Sequence, residues 1–112
     1  MTQVEYDRLV KSTAKKAANF LQENGRTEIP HDNYEEWIKS DYRHEERLFE
    51  PDNAEELYGF VSETLGNRGW NKVISRVYPD PRDRPEFDSD EMWNEALLPF
   101  MNDLVAELKK II

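Results

Sequence analysis

Apolar residues recur every three or four positions along most of the chain, which is the spacing of one face of an α-helix. No segment shows the sustained alternation of polar and apolar residues that is typical of a strand. The pattern predicts one all-α domain over residues 1–112, a compact bundle of four to five helices. Three prolines between Pro79 and Pro85 predict a Pro-rich loop before the last helix, because proline interrupts helical hydrogen bonding.

Start and stop signals bound the first two predicted helices. Thr2 is expected to cap a helix that runs to about Asn24, where Gly25 can adopt the left-handed conformation that ends a helix. Asp32 is expected to cap the second helix, with Glu35 three residues later completing a capping box.

The second half of the chain predicts the remaining helices. Pro51 is expected to end the second helix, and the glycines at 66–69 to separate a third helix from a short fourth one. Asp88 or Ser89 is expected to cap the last helix, which Pro99 should kink. Its apolar stripe is the strongest in the chain, so we expect this helix to pack centrally.

Composition restricts the class of partner. The chain has 112 residues and 13.3 kDa, with a formal net charge of −9 and a pI near 4.7. Such a charge repels nucleic acid and anionic membranes and favours a basic protein partner. The chain has no cysteine, which excludes disulfides and thiolate chemistry. No apolar run approaches the ~20 residues of a membrane span, so we expect a cytoplasmic location.

The acidic charge is concentrated in residues 28–65, which hold twelve acidic and three basic residues. In the predicted third helix, Glu55, Glu56 and Glu63 point away from the apolar stripe, so an ordinary solvated helix face is the simplest interpretation of these acids. The functional interpretation is a partner-binding face formed by the acids of this region, with one tyrosine among them as an aromatic anchor. The predicted face consists of Glu35, Glu36, Asp41, Tyr42, Glu45, Glu46, Glu55, Glu56 and Glu63.

Two of these acids do not fit a simple solvated helix face. At ~100° per residue, Asp41 and Glu45 fall in the middle of the apolar arc between Ile38 and Phe49. A continuous helix would bury both carboxylates, which is unfavourable without partners. A break near Ser40 is the simplest explanation; pairing with a basic side chain and exposure in a binding site are the alternatives.

The same region contains a weak metal-binding pattern. Asp41 and His44 form a D-x-x-H sequence, and carboxylate and imidazole ligands at that spacing can share a metal in a helical bundle. Di-iron bundles need the pattern twice with two further carboxylates, whereas His31 is the only other histidine and lies in a predicted loop. We therefore predict neither a metal site nor a cofactor.

A basic segment interrupts the acidic chain. Residues 66–85 hold five basic and two acidic residues, and three of the basic ones are spaced by four. Such a row could follow phosphates, but local ion pairs explain it better in a chain of this net charge. The candidate basic face consists of Arg68, Lys72, Arg76, Arg82 and Arg84.

These patterns favour a non-enzymatic function. The leading hypothesis is a small domain that binds and inhibits a basic, nucleic-acid-handling protein, with carboxylates standing in for phosphates as in anti-defence or immunity-type proteins. The first alternative is a nucleic-acid-binding module that uses the basic face. The second is a metal-dependent enzyme around Asp41, His44 and Glu45. The terminal Ile111 and Ile112 leave room for a homodimer.

Overall fold

The computed structural model describes residues 1–25, 29, 31–43 and 54–112, without the side chains of 41–43. Within these ranges there is no strand, and the helices pack into an all-α bundle, as the hydrophobic pattern predicted. The helical elements are α1 (Gln3–Glu23), α2 (Tyr34–Arg43), α3 (Ala54–Val77), α4 (Asp90–Met92), a π-helical turn (Trp93–Leu97) and α5 (Leu98–Ile111). The last three follow one another without interruption, and the Pro-rich segment contains one 3-10 turn (Pro81–Asp83).

Local capping signals set the bounds of α1. The Thr2 hydroxyl accepts a hydrogen bond from the Glu5 backbone N–H at 3.1 Å, which satisfies one of the free donors of the first turn. After the helix, Gly25 has a φ of +73°, a conformation that strains any residue with a Cβ atom. Both predicted signals are confirmed.

The start of α2 differs from the prediction. The Asn33 side chain, rather than that of Asp32, accepts from the Glu36 backbone N–H at 2.9 Å and is the N-cap. Asp32 instead forms an ion pair with Lys109 of α5 (2.8 Å), so the predicted Asp32 and Glu35 capping box is wrong by one residue.

The course of α2 also corrects the predicted break. The helix passes through Ser40 and continues to Arg43, so the break near Ser40 is wrong. The predicted end of this helix at Pro51 lies outside the described residues.

The predicted third and fourth helices form one element, α3, with a kink. Gly66 has φ +63° and ψ −172°, far from helical values, and the two halves of α3 meet there. Helical conformation resumes at once, and Gly69 is buried within the second half, where an added Cβ would lie 2.7 Å from the Cβ of Leu65. The predicted break at 66–69 is therefore confined to a single residue.

The last helical stretch is capped as predicted and contains an irregular turn. Ser89 accepts from the Met92 backbone N–H at 3.1 Å and caps α4. In the π-helical turn the Leu98 N–H bonds to the Trp93 carbonyl, five residues back. Pro99 follows directly and has no N–H to donate, so the disturbance expected at proline takes the form of a wide turn just before it.

The core is built around α5, which confirms its predicted central position. Five of its apolar side chains are fully buried, and burial of each contributes roughly 1.5–3 kcal/mol. They are Phe100, Met101, Leu104, Val105 and Leu108. The helices α1 and α3 run antiparallel, since Arg76 near the end of α3 reaches Gln3 at the start of α1. In the described ranges, no helix combines the length and apolarity of a membrane span.

Candidate acidic interface

A small aromatic surface flanked by acids lies where α1 meets the first half of α3. The helical spacing of three, four and seven residues places Glu56, Gly59, Phe60 and Glu63 on one face of α3. Phe60 stacks on Phe20 of α1, with ring centroids 4.4 Å apart and an interplanar angle of 11°. Together these five residues line a shallow depression of about 440 Å³, which we call the acidic aromatic face.

The antiparallel packing of α1 and α3 creates this face. It brings Phe20, near the end of α1, level with Phe60 in the first half of α3. Both rings are only half-buried, whereas the main apolar stripe of α3, represented by Leu57 and Val61, is fully buried. Gly59 contributes no side chain, and an added Cβ there would meet nothing within 4 Å, so the surface beside the rings is open.

The electrostatics of the face suit a cation. Glu56 and Glu63 are exposed on either side of the aromatic pair along α3. Aromatic faces attract ammonium and guanidinium groups, and neighbouring carboxylates pair with the same groups. The arrangement can therefore hold a lysine or arginine side chain between a ring and a carboxylate.

The other predicted acids do not converge on this face. The Glu35 carboxylate pairs with Lys39 at 2.9 Å, and its backbone N–H donates to Asn102 of α5 at 3.1 Å. Glu36 is exposed on α2, and Glu55 lines a different groove.

Four members of the predicted face lie outside the described side chains. Glu45 and Glu46 lie outside the described residues, and so do the side chains of Asp41 and Tyr42. Among the acids of the predicted face whose side chains are described, the structure brings Glu56 and Glu63 together.

Arg76 of the predicted basic face contacts two residues of α1. Its guanidinium carbon lies 3.8 Å from the centroid of the Tyr6 ring, and its Nη2 donates to Gln3 at 3.1 Å. The Tyr6 hydroxyl in turn donates to Asp103 of α5 at 2.5 Å. Burial, together with this hydrogen bond, raises the pKa of Tyr6 well above its ordinary value. These contacts tie α1, α3 and α5 together.

Two further basic residues are held within the Pro-rich loop. Arg82 pairs with Asp80 at 3.0 Å, and hydrogen bonds from the Arg82 side chain and backbone lower the pKa of Asp80. Arg84 donates to the Ser75 hydroxyl at 2.7 Å and to the carbonyl of Tyr78 at 3.4 Å. Both arginines therefore make local contacts within the chain, and Arg82 forms the kind of local ion pair that the sequence analysis favoured.

The remaining members of the predicted basic face are Arg68 and Lys72. Both are exposed on α3, and neither makes a hydrogen bond or ion pair in the part of the chain that the structure describes. The five predicted cations therefore divide into three with intramolecular partners and two that face solvent.

The aromatic members of the site were missed by the sequence pattern. Phe20 lies three residues after the buried Ala17 and directly before the buried Leu21, so its spacing does not distinguish it from the core residues of α1. Phe60, in contrast, lies off the buried stripe of α3 and next to its acids. A large apolar residue on the polar face of a helix is a signal that could have identified it.

Chemistry that needs a metal has no support among the described residues. They contain no group of three or more His, Asp or Glu side chains that could hold a metal ion. The predicted pattern at Asp41 and His44 lies outside the described side chains.

Comparison of the chain with protein-family models, with curated proteins and with solved structures found no match in any of the three.

Proposed function

We propose that this protein is a non-enzymatic interaction domain that binds and inhibits a basic, nucleic-acid-handling protein. In this proposal the domain occupies a nucleic-acid-binding groove and presents carboxylates where phosphates would lie. The observation that carries the proposal is the acidic aromatic face, where the stacked Phe20 and Phe60 lie beside Glu56 and Glu63.

The aromatic pair supplies what an acidic surface alone lacks. Exposed ion pairs are typically worth less than about 1 kcal/mol, so carboxylates on their own give weak and unspecific binding. Burial of two half-exposed rings adds an apolar contribution, and aromatic side chains are frequent among the residues that dominate binding energy. The face therefore combines a charge that attracts a basic surface with an apolar anchor that holds it.

The overall charge supports the same proposal. A net charge of −9 attracts a basic partner over a distance and accelerates association, more strongly at low salt. Arg82 is paired with the carboxylate of Asp80, which reduces the positive field of the Pro-rich loop. We therefore expect the domain itself not to bind oligonucleotides.

The first test is capture of partners from host lysate on the immobilised protein at low and moderate salt. The test variant is Glu56→Gln/Glu63→Gln, which removes two charges from the acidic aromatic face. The matched control is Asp83→Asn/Glu86→Gln, which removes two charges from exposed positions of the Pro-rich loop. Captured proteins are identified by mass spectrometry and then tested for binding to a labelled DNA or RNA duplex with and without the domain.

The proposal predicts a specific pattern of capture and competition. The wild type and the control should capture the same basic nucleic-acid-binding protein and displace its duplex, and the test variant should do neither. Capture of no such protein, or equal capture by both variants, would leave the acidic surface with no role beyond solubility and would overturn the proposal.

A second variant extends the test to the acids whose side chains are not described. Asp41→Asn/Glu45→Gln/Glu46→Gln removes the remaining charges of the predicted face. If these residues belong to the same interface, the triple variant should lose capture as the double variant does. Capture equal to that of the wild type would restrict the interface to α1 and α3.

A further inference from the structure

A second groove with a different composition lies on the molecule between α2, the start of α3 and the stretch that leads into α5. Its volume is about 640 Å³, within the range of sites that bind small molecules or side chains. Its described lining comprises rings and aliphatic side chains together with acids and one serine, and includes no basic residue. We call it the aromatic groove.

Aromatic rings at steep angles form the wall of this groove. Tyr58 and Trp93 lie 5.5 Å apart with an interplanar angle of 73°, and Tyr34 and Trp93 lie 6.1 Å apart at 65°. Tyr34 is fully buried and supports Trp93, whereas Tyr58 and Trp93 are only partly buried. Phe87, at the rim, is 50% exposed. A ligand in the groove can therefore reach Tyr58, Phe87 and Trp93, and accessible aromatic faces attract cations.

Three carboxylates surround the rings, from Glu55 on α3 and from Asp88 and Asp90 beside the start of α4. Their backbone positions are fixed by hydrogen bonds on both sides of the groove. Ser89, between the two aspartates, donates to the Glu86 carbonyl at 2.7 Å and caps α4.

On the other side, the Tyr34 hydroxyl donates to the carbonyl of Ala54 at 3.0 Å, directly before Glu55. The acidic rim is therefore preorganised by contacts of the fold, and little conformational entropy is lost when a cation binds there.

We infer that the aromatic groove binds a cationic side chain of the partner, with arginine preferred over lysine. The inference rests on the proposed function for the source of the cation. A guanidinium group stacks on aromatic faces and forms paired hydrogen bonds with carboxylates, and the groove offers both. An anionic ligand would be repelled by the three acids, and a purely apolar ligand would leave them desolvated at the rim.

The test is a titration of the whole protein with a short glycine-flanked arginine peptide, followed by NMR at the indole N–H of Trp93. The matched ligand contains citrulline, which keeps the shape of arginine but lacks its charge; a lysine peptide tests the preference. We expect a saturable shift with arginine, a weaker affinity with lysine and no saturable shift with citrulline.

Surface variants locate the binding site without disturbing the core. Asp88→Asn/Asp90→Asn changes two exposed residues and should weaken arginine binding by roughly three- to tenfold, as expected for loss of two exposed charge contacts. Glu23→Gln/Asp83→Asn is the matched control, because it removes two exposed charges that line neither the aromatic groove nor the acidic aromatic face, and it should leave the affinity unchanged. Equal responses to arginine and citrulline, no response to arginine, or an effect of the control variant alone would overturn the inference.

Failure of this inference can be distinguished from failure of the proposed function. Suppose that the wild type captures a basic partner, that Glu56→Gln/Glu63→Gln no longer captures it and that Asp88→Asn/Asp90→Asn still does. The groove inference then fails and the proposed function stands. If arginine binds beside Trp93 but no basic partner is captured, the cation site stands and the proposed function fails.

Discussion

The two halves of α3, which meet at Gly66, carry opposite charges and use them differently. In the first half, Glu56 and Glu63 are exposed beside a half-buried aromatic stack. In the second half, the guanidinium of Arg76 covers the ring of Tyr6 and helps to join three helices. The first half thus carries exposed acids beside aromatic rings, while one cation of the second half holds the fold together.

This difference teaches that charge along a sequence is not the same as charge offered to a partner. A long cationic side chain can lie along its own protein surface and satisfy its donors there. The short distance between Arg76 and Tyr6 shows such a case. Four predictions, ordered by expected effect, test the kink between the two halves and the contacts that stabilise the fold.

The largest effect is expected where the two halves meet. Gly66 has φ +63° and ψ −172°, a region that essentially only glycine occupies. Gly66→Ala should therefore lower the free energy of unfolding by about 2 kcal/mol, within the ~1–3 kcal/mol of such strain. Chemical denaturation followed by circular dichroism measures the change.

Gly59→Ala is the matched control for this prediction. Gly59 lies in the regular part of α3 and an added Cβ there meets nothing within 4 Å. This substitution should stabilise the protein by ~0.5–1 kcal/mol, because alanine loses less backbone entropy on folding. Equal effects of the two substitutions would contradict the role assigned to Gly66.

The second prediction concerns the hydrogen bond from Tyr6 to Asp103. Tyr6→Phe removes this bond between α1 and α5 and should lower the free energy of unfolding by about 1 kcal/mol. Tyr78→Phe is the control, because it removes a tyrosine hydroxyl that bonds to Glu95 at the surface, and its effect should be smaller. Denaturation midpoints at neutral pH compare the two.

The same tyrosine predicts a pH dependence at the alkaline end. The pKa of Tyr6 is raised in the folded protein, so the folded state holds the proton more tightly than the unfolded state does. The stabilisation is complete below the unfolded pKa of ~10 and is lost as the pH rises towards the folded value. Alkaline denaturation should be shallower for Tyr6→Phe; an identical pH profile would contradict this.

The third prediction compares two cations of the second half of α3. Arg76→Gln should lower the free energy of unfolding by ~0.5–1 kcal/mol, because it removes the cation–π contact with Tyr6. Lys72→Gln removes the same charge four residues earlier, from an exposed side chain, and should have almost no effect. If the two substitutions were equally destabilising, general electrostatics rather than the specific contact would be responsible.

The smallest effect is expected for the ion pair between Asp32 and Lys109. Their hydrogen bond lowers the pKa of Asp32, so any stabilisation is present above the unfolded value of ~4 and disappears as the pH falls below it. Asp32 is exposed, and salt and solvent screen the pair. Asp32→Asn should leave the melting temperature nearly unchanged at pH 7; a large shift would show that the pair orients α2.

The sequence by itself determined the helices and several of their ends. The spacing of apolar residues identified α1, α2, the two halves of α3 and the final stretch, and Thr2 and Ser89 were recognised as caps. These features depend on hydrogen bonds and side-chain neighbours within about one helical turn, so their signals lie close together in the chain. The prediction that Asp32 caps α2 was wrong because the adjacent Asn33 can cap a helix equally well.

The tertiary structure alone decided which residues of different helices meet. Three features each join residues from different helices. They are the stacked pair of Phe20 and Phe60, the cation–π contact of Arg76 with Tyr6 and the aromatic groove. Local sequence signals do not encode such contacts, because they depend on how helices pack and which faces they bury against each other. The sequence therefore determined that the protein is an acidic helical bundle, and packing determined where its acids stand beside exposed aromatic rings.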